Sequence, residues 1–149
     1  MIVARLAALP PVWLALFALA GAGAGWLIPL PLPGGLRGAG LVLIGAALAL
    51  MLWAALTMAR ARTTVMPGRR PEALVTGGPF RFSRNPIYLG DVILLAGLML
   101  ALAAPAGLVV VPAFALFLQR RFILREEAVI AAAFGSAYDR YRTQVRRWI

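Results

Sequence analysis

Residues 39–58, AGLVLIGAALALMLWAALTM, form an apolar segment without a single charged side chain. A helix needs about 20 mostly apolar residues to cross the hydrocarbon core of a bilayer, so this segment predicts a transmembrane helix. The composition points the same way, because 62% of the 149 residues are hydrophobic and only 13% are charged. Soluble domains carry about 25% charged residues. We therefore expect an integral membrane protein.

Three further apolar segments predict additional spans, at residues 11–28, 86–104 and 108–118. The first has some features of a signal peptide, but its length and the span that follows favour a retained helix. Gly21, Gly23 and Gly25 lie inside an apolar span without a preceding strand, so they predict close helix packing and no nucleotide-binding loop. The expected fold class is an all-α integral membrane protein with about four transmembrane helices, a C-terminal amphipathic helical segment and no Rossmann domain. The length permits a single membrane-embedded domain over residues 1–149.

The positive charges of the chain are all arginines, and they are unevenly distributed between the loops. The loop between the first two spans contains only Arg37, and the turn after the third span contains none. The positive-inside rule therefore places both termini and the segments 61–88 and 120–149 in the cytoplasm. Because the arginines flank apolar segments, they favour contact with anionic membrane lipid and argue against nucleic-acid binding. The arginines on this side are Arg60, Arg62, Arg69, Arg70, Arg81, Arg84, Arg120, Arg121, Arg125, Arg140, Arg142, Arg146 and Arg147.

The chain contains no histidine and no cysteine. The usual general base near neutral pH is therefore excluded, as are thiolate nucleophiles and disulfides. Metal sites built from histidine or cysteine are excluded as well, and we expect no metal.

Most of the polar chemistry lies in two segments. The first polar segment, residues 77–90 (GGPFRFSRNPIYLG), contains Asn85 followed by Pro86, which is typical of a helix start. A helix N-terminus beside Arg84 is suited to bind a carboxylate or a phosphate at the membrane interface. The alternative is a capped helix with an ordinary basic flank.

The second polar segment, residues 125–149 (REEAVIAAAFGSAYDRYRTQVRRWI), contains two adjacent glutamates. On a helix, Glu127 shares an apolar face with Ile130 and Phe134, and Glu126 falls on a neighbouring face. Two interpretations stay open: an ion-pair network that holds the helix at the interface, or a glutamate that binds ligand hydroxyls or a cation. Tyr138 and Tyr141 either close over the same site or lie among the lipid headgroups.

S-adenosylmethionine is a ligand that matches these groups. Its carboxylate suits an arginine or a helix N-terminus, its ribose diol a carboxylate acceptor, and its base an apolar slot. Other nucleotides fit almost as well.

The first polar segment with its upstream residues 61–65 and 74–76, together with Glu126–Glu127, Phe134–Gly135, Tyr138, Tyr141 and residues 145–148, resembles the bacterial branch of the isoprenylcysteine carboxyl methyltransferase family. These motifs are also similar to those of the phospholipid N-methyltransferases. The resemblance covers about the C-terminal two-thirds of the chain. It implies a multi-pass enzyme of the bacterial inner membrane that uses S-adenosylmethionine.

The resemblance also implies roles for individual residues. Arg84, Glu126 and Glu127 are the expected catalytic residues, with one of the glutamates binding the cofactor or orienting the acceptor. Eukaryotic relatives commonly have histidine at the position of Asn85, which excludes a role here that needs an imidazole. The residues expected to line the cofactor site are Val75, Thr76, Gly77, Gly78, Pro79, Phe80, Arg84, Asn85, Pro86, Tyr88 and Glu127.

The function expected from this resemblance is methyl transfer from S-adenosylmethionine to a lipid-like or small apolar acceptor. Displacement at a sulfonium methyl group requires orientation and desolvation more than acid–base catalysis, so the absence of histidine and cysteine is no obstacle. Two alternatives stay open: a phospholipid-amine methyltransferase, and a non-catalytic membrane scaffold that keeps the same core.

Overall fold

The computed structural model describes residues 9–63 and 71–149. The predictions that involve Thr64, Val65, Arg69 and Arg70 lie outside the described residues. Within the two described ranges the regular structure is helical, with no strand. This confirms the all-α class and the expected absence of a Rossmann domain, which requires a parallel sheet.

The helices begin and end close to the predicted boundaries. Pro10 opens the first helix at a position that suits proline, because the first amides of a helix lack intrahelical partners. In chain order the helices are α1 (Pro10–Leu27), α2 (Gly34–Arg60), a 3₁₀ helix (Gly78–Arg81), α3 (Pro86–Ala101), a second 3₁₀ helix (Pro105–Val109), α4 (Val110–Leu118), a π-helical segment (Gln119–Ile123), α5 (Leu124–Phe134) and α6 (Ser136–Gln144).

Within the described residues, three helices are long and apolar enough to cross a membrane: Pro10–Leu27, Gly34–Arg60 and the continuous helix Pro105–Phe134. The predicted span at 108–118 is thus part of a 30-residue helix. The third predicted span, residues 86–104, corresponds to α3, an apolar helix of 16 residues. At 1.5 Å per residue it measures about 24 Å, somewhat less than a typical hydrocarbon core.

The turn after α3 comes earlier than the sequence predicted. The predicted spans 86–104 and 108–118 leave residues 105–107 for the turn, but residues 105–109 are already helical. The chain turns at Leu102–Ala104 instead, where Ala103 adopts a left-handed conformation with φ of 53°. Its neighbour Ala104 donates from its amide to the Met99 carbonyl over 2.8 Å. Pro105 then suits the start of a helix because it has no amide hydrogen to satisfy.

The described residues divide into two compact units. The first unit comprises the described parts of Met1–Leu48 and Asp91–Leu118, and the second comprises those of Ala49–Gly90 and Gln119–Ile149. Both polar segments, residues 77–90 and 125–149, fall in the second unit. Chemistry that requires the two polar segments together is therefore available within that unit.

In the first unit, glycines allow helix backbones to approach closely. A Cβ atom placed on Gly40 of α2 would lie 2.5 Å from the Ala101 amide nitrogen and 2.8 Å from the Gly97 carbonyl oxygen. A Cβ atom on Gly97 of α3 would in turn lie 2.9 Å from the Gly40 carbonyl oxygen. Contact between backbones at small residues is a common way for transmembrane helices to associate.

The glycines that the sequence predicted to pack closely differ from one another. A Cβ atom added to Gly21 would lie 3.3 Å from the Gly107 carbonyl oxygen, and one added to Gly25 would lie 2.7 Å from Ala104 Cα. Nothing lies within 4 Å of a Cβ atom added to Gly23, so close packing is confirmed at Gly21 and Gly25 and not at Gly23.

We expect Gly40→Ala to lower the thermal stability of the detergent-purified protein, because α2 and α3 must separate to admit the methyl group. The loss should be about 1–3 kcal/mol, the usual cost of overpacking. Gly45→Ala in the same helix is the matched control, since nothing lies within 4 Å of its added Cβ. The control should be neutral or slightly stabilising, because alanine favours helix. Equal melting temperatures for the two variants would contradict close packing at Gly40.

Candidate functional site

The C-terminal tail, residues 145–149, is hydrogen-bonded to the loop that precedes α3. The Arg84 amide donates to the Arg146 carbonyl over 3.0 Å. The Ser83 hydroxyl and the Asn85 side-chain amide both donate to the Arg147 carbonyl, each over 3.2 Å. These bonds bring the end of the second polar segment against the middle of the first.

Glu127 of α5 is the ionic centre of this arrangement. Its Oε1 atom accepts from Arg84 Nη2 over 3.1 Å, and its Oε2 atom accepts from Arg147 Nη2 over 2.8 Å. Arg147 Nε lies 3.1 Å and 3.2 Å from the two carboxylate oxygens, and Asn85 Nδ2 donates to Oε1 over 3.4 Å. Short charge-assisted contacts of this kind, made by one arginine to both oxygens, are strong and geometrically specific.

The three ionic side chains of this cluster are well shielded from solvent. The Arg84 and Glu127 side chains are 11% and 12% exposed, and that of Arg147 is 30% exposed. Hydrogen bonding to Glu127 raises the pKa of Arg147 above its usual value, so the guanidinium stays charged. Two arginines and one glutamate leave the cluster with one positive charge in excess. The arrangement is therefore suited to receive one further anionic group.

The cluster opens onto a cavity with a free volume of about 470 Å³, including the space at its mouth. Arg84, Asn85 and Glu127 supply its charged and amide groups, and aliphatic and aromatic side chains supply most of the remaining wall. The other lining residues are Met58, Thr63, Pro71, Ala73, Leu74, Val75, Phe80, Ile130, Phe134, Tyr138 and Tyr141.

Two tyrosines of α6 contribute to the cavity wall, and both are buried. The Tyr141 hydroxyl donates to the Phe80 carbonyl over 2.7 Å and so links α6 to the 3₁₀ helix Gly78–Arg81. Of the two roles that the sequence left open for Tyr138 and Tyr141, the structure supports the one in which they close over the site.

A single positive-φ glycine shapes the 3₁₀ helix beside the cavity. Gly78 has φ of 57°, and an added Cβ would lie 2.8 Å from Thr57 Oγ1 and 3.3 Å from Trp53 Nε1. Its conformation and its close packing on α2 both require glycine. Gly78 therefore supports the site through the backbone.

Glu126 has different partners from its neighbour. It accepts a hydrogen bond from the Tyr88 hydroxyl over 2.7 Å, and the Tyr88 ring stacks on Phe122 with centroids 6.2 Å apart. Glu126 thus links α5 to the first turn of α3. Among the described residues, Glu127 lines the cavity and Glu126 does not. The sequence left open which glutamate reaches the ligand, and this geometry favours Glu127.

The predicted site residues fall into two groups. Val75, Phe80, Arg84, Asn85 and Glu127 all line the cavity. Asn85 also occupies the predicted helix start, since its carbonyl accepts from the Leu89 amide over 2.9 Å, while its side-chain nitrogen is directed to Glu127 and Arg147. The predicted residues that the structure places outside the cavity wall are Thr76, Gly77, Gly78, Pro79, Pro86, Tyr88 and Glu126.

Sequence reasoning missed Arg147 as a member of the site, and it left Met58 and Thr63 without a role. Arg147 lies 20 residues from Glu127 along the chain, so helix periodicity gives no indication of their contact. The Thr63 hydroxyl accepts from the Glu72 amide over 3.1 Å, which holds the start of the 71–75 wall segment in place. The family resemblance includes residues 145–148, but it does not distinguish Arg147 from its neighbour Arg146.

The family comparison matches the part of the chain that contains most of the cavity-lining residues. Residues 36–137 match a family model described as phospholipid methyltransferase. The match covers more than half of the chain and includes Arg84, Asn85 and Glu127, whereas Tyr138 and Arg147 lie beyond it. No curated protein matches the chain.

We expect Arg147→Met to destabilise the detergent-purified protein by about 1.5–3 kcal/mol, the range for hydrogen bonds to charged groups. The substitution keeps much of the side-chain volume but removes all three hydrogen bonds to Glu127. Arg146→Met is the matched control, because the Arg146 side chain is exposed and only its carbonyl takes part in the contact with Arg84. Thermal unfolding followed by tryptophan fluorescence measures both variants. A melting temperature that falls equally in both would contradict a specific role for Arg147.

Proposed function

Because the chain belongs to the phospholipid methyltransferase family and is therefore a membrane methyltransferase, we propose that it uses S-adenosylmethionine as its methyl donor. The proposed acceptor is a lipid-like or small apolar molecule, as in the isoprenylcysteine carboxyl methyltransferases. The observation that carries the proposal is one cavity lined by residues of both polar segments, with an arginine and a glutamate among mainly apolar walls.

The residues of the cavity fit the chemical groups of this donor. Arg84 offers a guanidinium to the carboxylate of the amino-acid moiety, and the cluster has one positive charge in excess to balance it. The apolar walls around Ile130 and Phe134 suit a flat base. The Glu127 carboxylate suits the ribose diol, although it is already engaged by Arg84, Arg147 and Asn85. Arg147 is the most exposed of its ionic partners and would be the one to yield.

When bound, S-adenosylmethionine supplies an electrophilic methyl carbon on a sulfonium sulfur. The methyl group would pass to a lone pair of the acceptor, and the electrons of the carbon–sulfur bond would stay on the sulfur as a neutral thioether. Such a displacement requires alignment and exclusion of water. In this chain, Arg84 and Asn85 would hold the donor, and the buried walls formed by Phe80, Tyr138 and Tyr141 would exclude water.

The two glutamates have separate proposed roles. Glu127 fixes Arg84 and Asn85 in the cavity wall, so its removal would disturb the cofactor site directly. Glu126 accepts a hydrogen bond from the Tyr88 hydroxyl and so positions the start of α3 against α5. This assignment makes Glu127 the cofactor-binding carboxylate and leaves Glu126 with a positioning role.

A second candidate is transfer to the amine of a phospholipid, and the description of the matched family favours it. The two acceptors differ in their need for a base. A carboxylate acceptor is already nucleophilic at neutral pH, whereas an ammonium group must first lose a proton. The Glu127 carboxylate is engaged by two arginines, which makes it a weak proton acceptor. A third candidate, a non-catalytic scaffold, predicts no binding of S-adenosylmethionine.

We further propose that the protein resides in the bacterial inner membrane, with both termini and the cavity on the cytoplasmic side and with the whole chain acting as one methyltransferase domain. The arginine distribution supports this orientation. Cytoplasmic exposure of the cavity would give direct access to a soluble methyl donor, while a lipidic acceptor would enter from the bilayer.

We expect Glu127→Gln to bind S-adenosylmethionine about tenfold more weakly than the wild type, which corresponds to about 1.4 kcal/mol. The affinity should fall because the substitution removes the ion pair with Glu127 that holds Arg84 in the cavity wall. Calorimetric titration of detergent-purified protein measures the affinity. Glu126→Gln is the matched control and should change it less than threefold. Equal weakening by both substitutions would contradict the separate roles, and a wild type that fails to bind at millimolar concentration would exclude this methyl donor.

We expect radiolabelled methyl groups from S-adenosylmethionine to appear in the lipid fraction when the enzyme is incubated with a total membrane extract. Treatment of the labelled product with mild base separates the acceptors, because a methyl ester releases volatile methanol and a methylated amine does not. Base-labile label would support a carboxyl acceptor, and base-stable label would support a phospholipid amine. Absence of label from the lipid fraction of a wild type that binds the donor would contradict a lipid acceptor.

A further inference from the structure

Two polar atoms in the second unit are buried without a hydrogen-bond partner among residues 9–63 and 71–149. They are the Tyr138 hydroxyl and Arg84 Nε. Tyr138 is only 4% exposed, so water cannot readily satisfy its hydroxyl. A buried polar group left unpaired costs free energy, and native structures rarely retain one without a reason.

Both atoms belong to residues that line the same cavity. Tyr138 is near enough to Arg84 and Glu127 for their charges to act on its phenol. Burial raises the pKa of Tyr138 above its ordinary value, which keeps the hydroxyl protonated and able to donate. The neighbouring hydroxyl of Tyr141 is already used, because it donates to the Phe80 carbonyl over 2.7 Å.

The nature of the missing partner follows from the chemistry of the donors. Arg84 Nε can only donate, so the group that satisfies it must be an acceptor. The cluster of Arg84, Glu127 and Arg147 carries one uncompensated positive charge. A carboxylate answers both requirements, since it is anionic and can accept from several donors at once.

We propose that Tyr138 is a ligand-binding residue whose hydroxyl, together with Arg84 Nε, donates to the carboxylate of the bound methyl donor. This inference rests on the proposed function and adds to it a residue outside the range that matches the family. The unpaired hydroxyl is then a binding group kept ready for the ligand, and it contributes nothing to the stability of the ligand-free protein.

This role has a signature that a structural role lacks, because stability and affinity respond in opposite ways. Tyr138→Phe removes an unsatisfied buried hydroxyl, so the melting temperature of the ligand-free protein should stay the same or rise. Tyr141→Phe is the matched stability control on the same helix. It removes a satisfied hydrogen bond to Phe80, so its melting temperature should fall by a few degrees.

The binding experiment uses full-length, detergent-purified protein and two probes. S-adenosylhomocysteine carries the amino-acid carboxylate, and methylthioadenosine has the same nucleoside without it. We expect Tyr138→Phe to bind S-adenosylhomocysteine about tenfold more weakly than the wild type and to bind methylthioadenosine with unchanged affinity.

Three results would overturn the inference. Unchanged affinity for S-adenosylhomocysteine would show that Tyr138 does not contact the ligand, and equal loss for both probes would place its contact on the nucleoside. A melting temperature that falls as far as that of Tyr141→Phe would show a structural role. A wild type that binds neither probe would instead refute the proposed methyl donor, so the two failures are distinguishable.

Discussion

The arrangement of the second unit depends on one partly buried carboxylate that is shared between two arginines. Glu127 accepts from Arg84, which precedes α3, and from Arg147 in the C-terminal tail. Removing a charge from water is costly, and the cost is recovered only when partners surround the ion with good geometry. Because those partners come from distant parts of the chain, satisfying Glu127 holds the loop before α3, helix α5 and the tail together. The same constraint forms one side of the cavity.

This constraint also explains how a chain without histidine and cysteine can offer a defined site. The charged groups of the cluster neutralise each other except for one positive charge, and two donors remain unused within the described residues. The site is therefore prepared for an anionic acceptor while the rest of its wall is apolar. Methyl transfer from a sulfonium draws mainly on orientation and dehydration, and both are properties of a rigid, buried wall. A partly buried ion cluster is suited to provide that rigidity.

The sequence anticipated the polar residues of this site better than their contacts. The helix start drew attention to Arg84 and Asn85, the apolar helix face to Glu127, and the family resemblance assigned all three to the cofactor site. All three line the cavity. Arg147 was not predicted, because its contact with Glu127 joins a helix to an irregular tail and has no periodic signal. Tyr138 and Tyr141 have the same residue type three positions apart. Only their surroundings show that one hydroxyl is paired and the other is not.

Composition and pattern were sufficient to establish the class of the molecule. Long uncharged segments have no stable state in water other than one that buries them, and inside a bilayer the backbone must satisfy its own hydrogen bonds, so helices follow directly. The choice between Glu126 and Glu127 could not be made in this way. Adjacent residues on a helix point about 100° apart, and the π-helical segment Gln119–Ile123 immediately before them alters the phase that a regular helix would predict. That choice, and the contact of Arg147 with Glu127, came from the tertiary structure, because both depend on how distant segments pack around one partly buried charge.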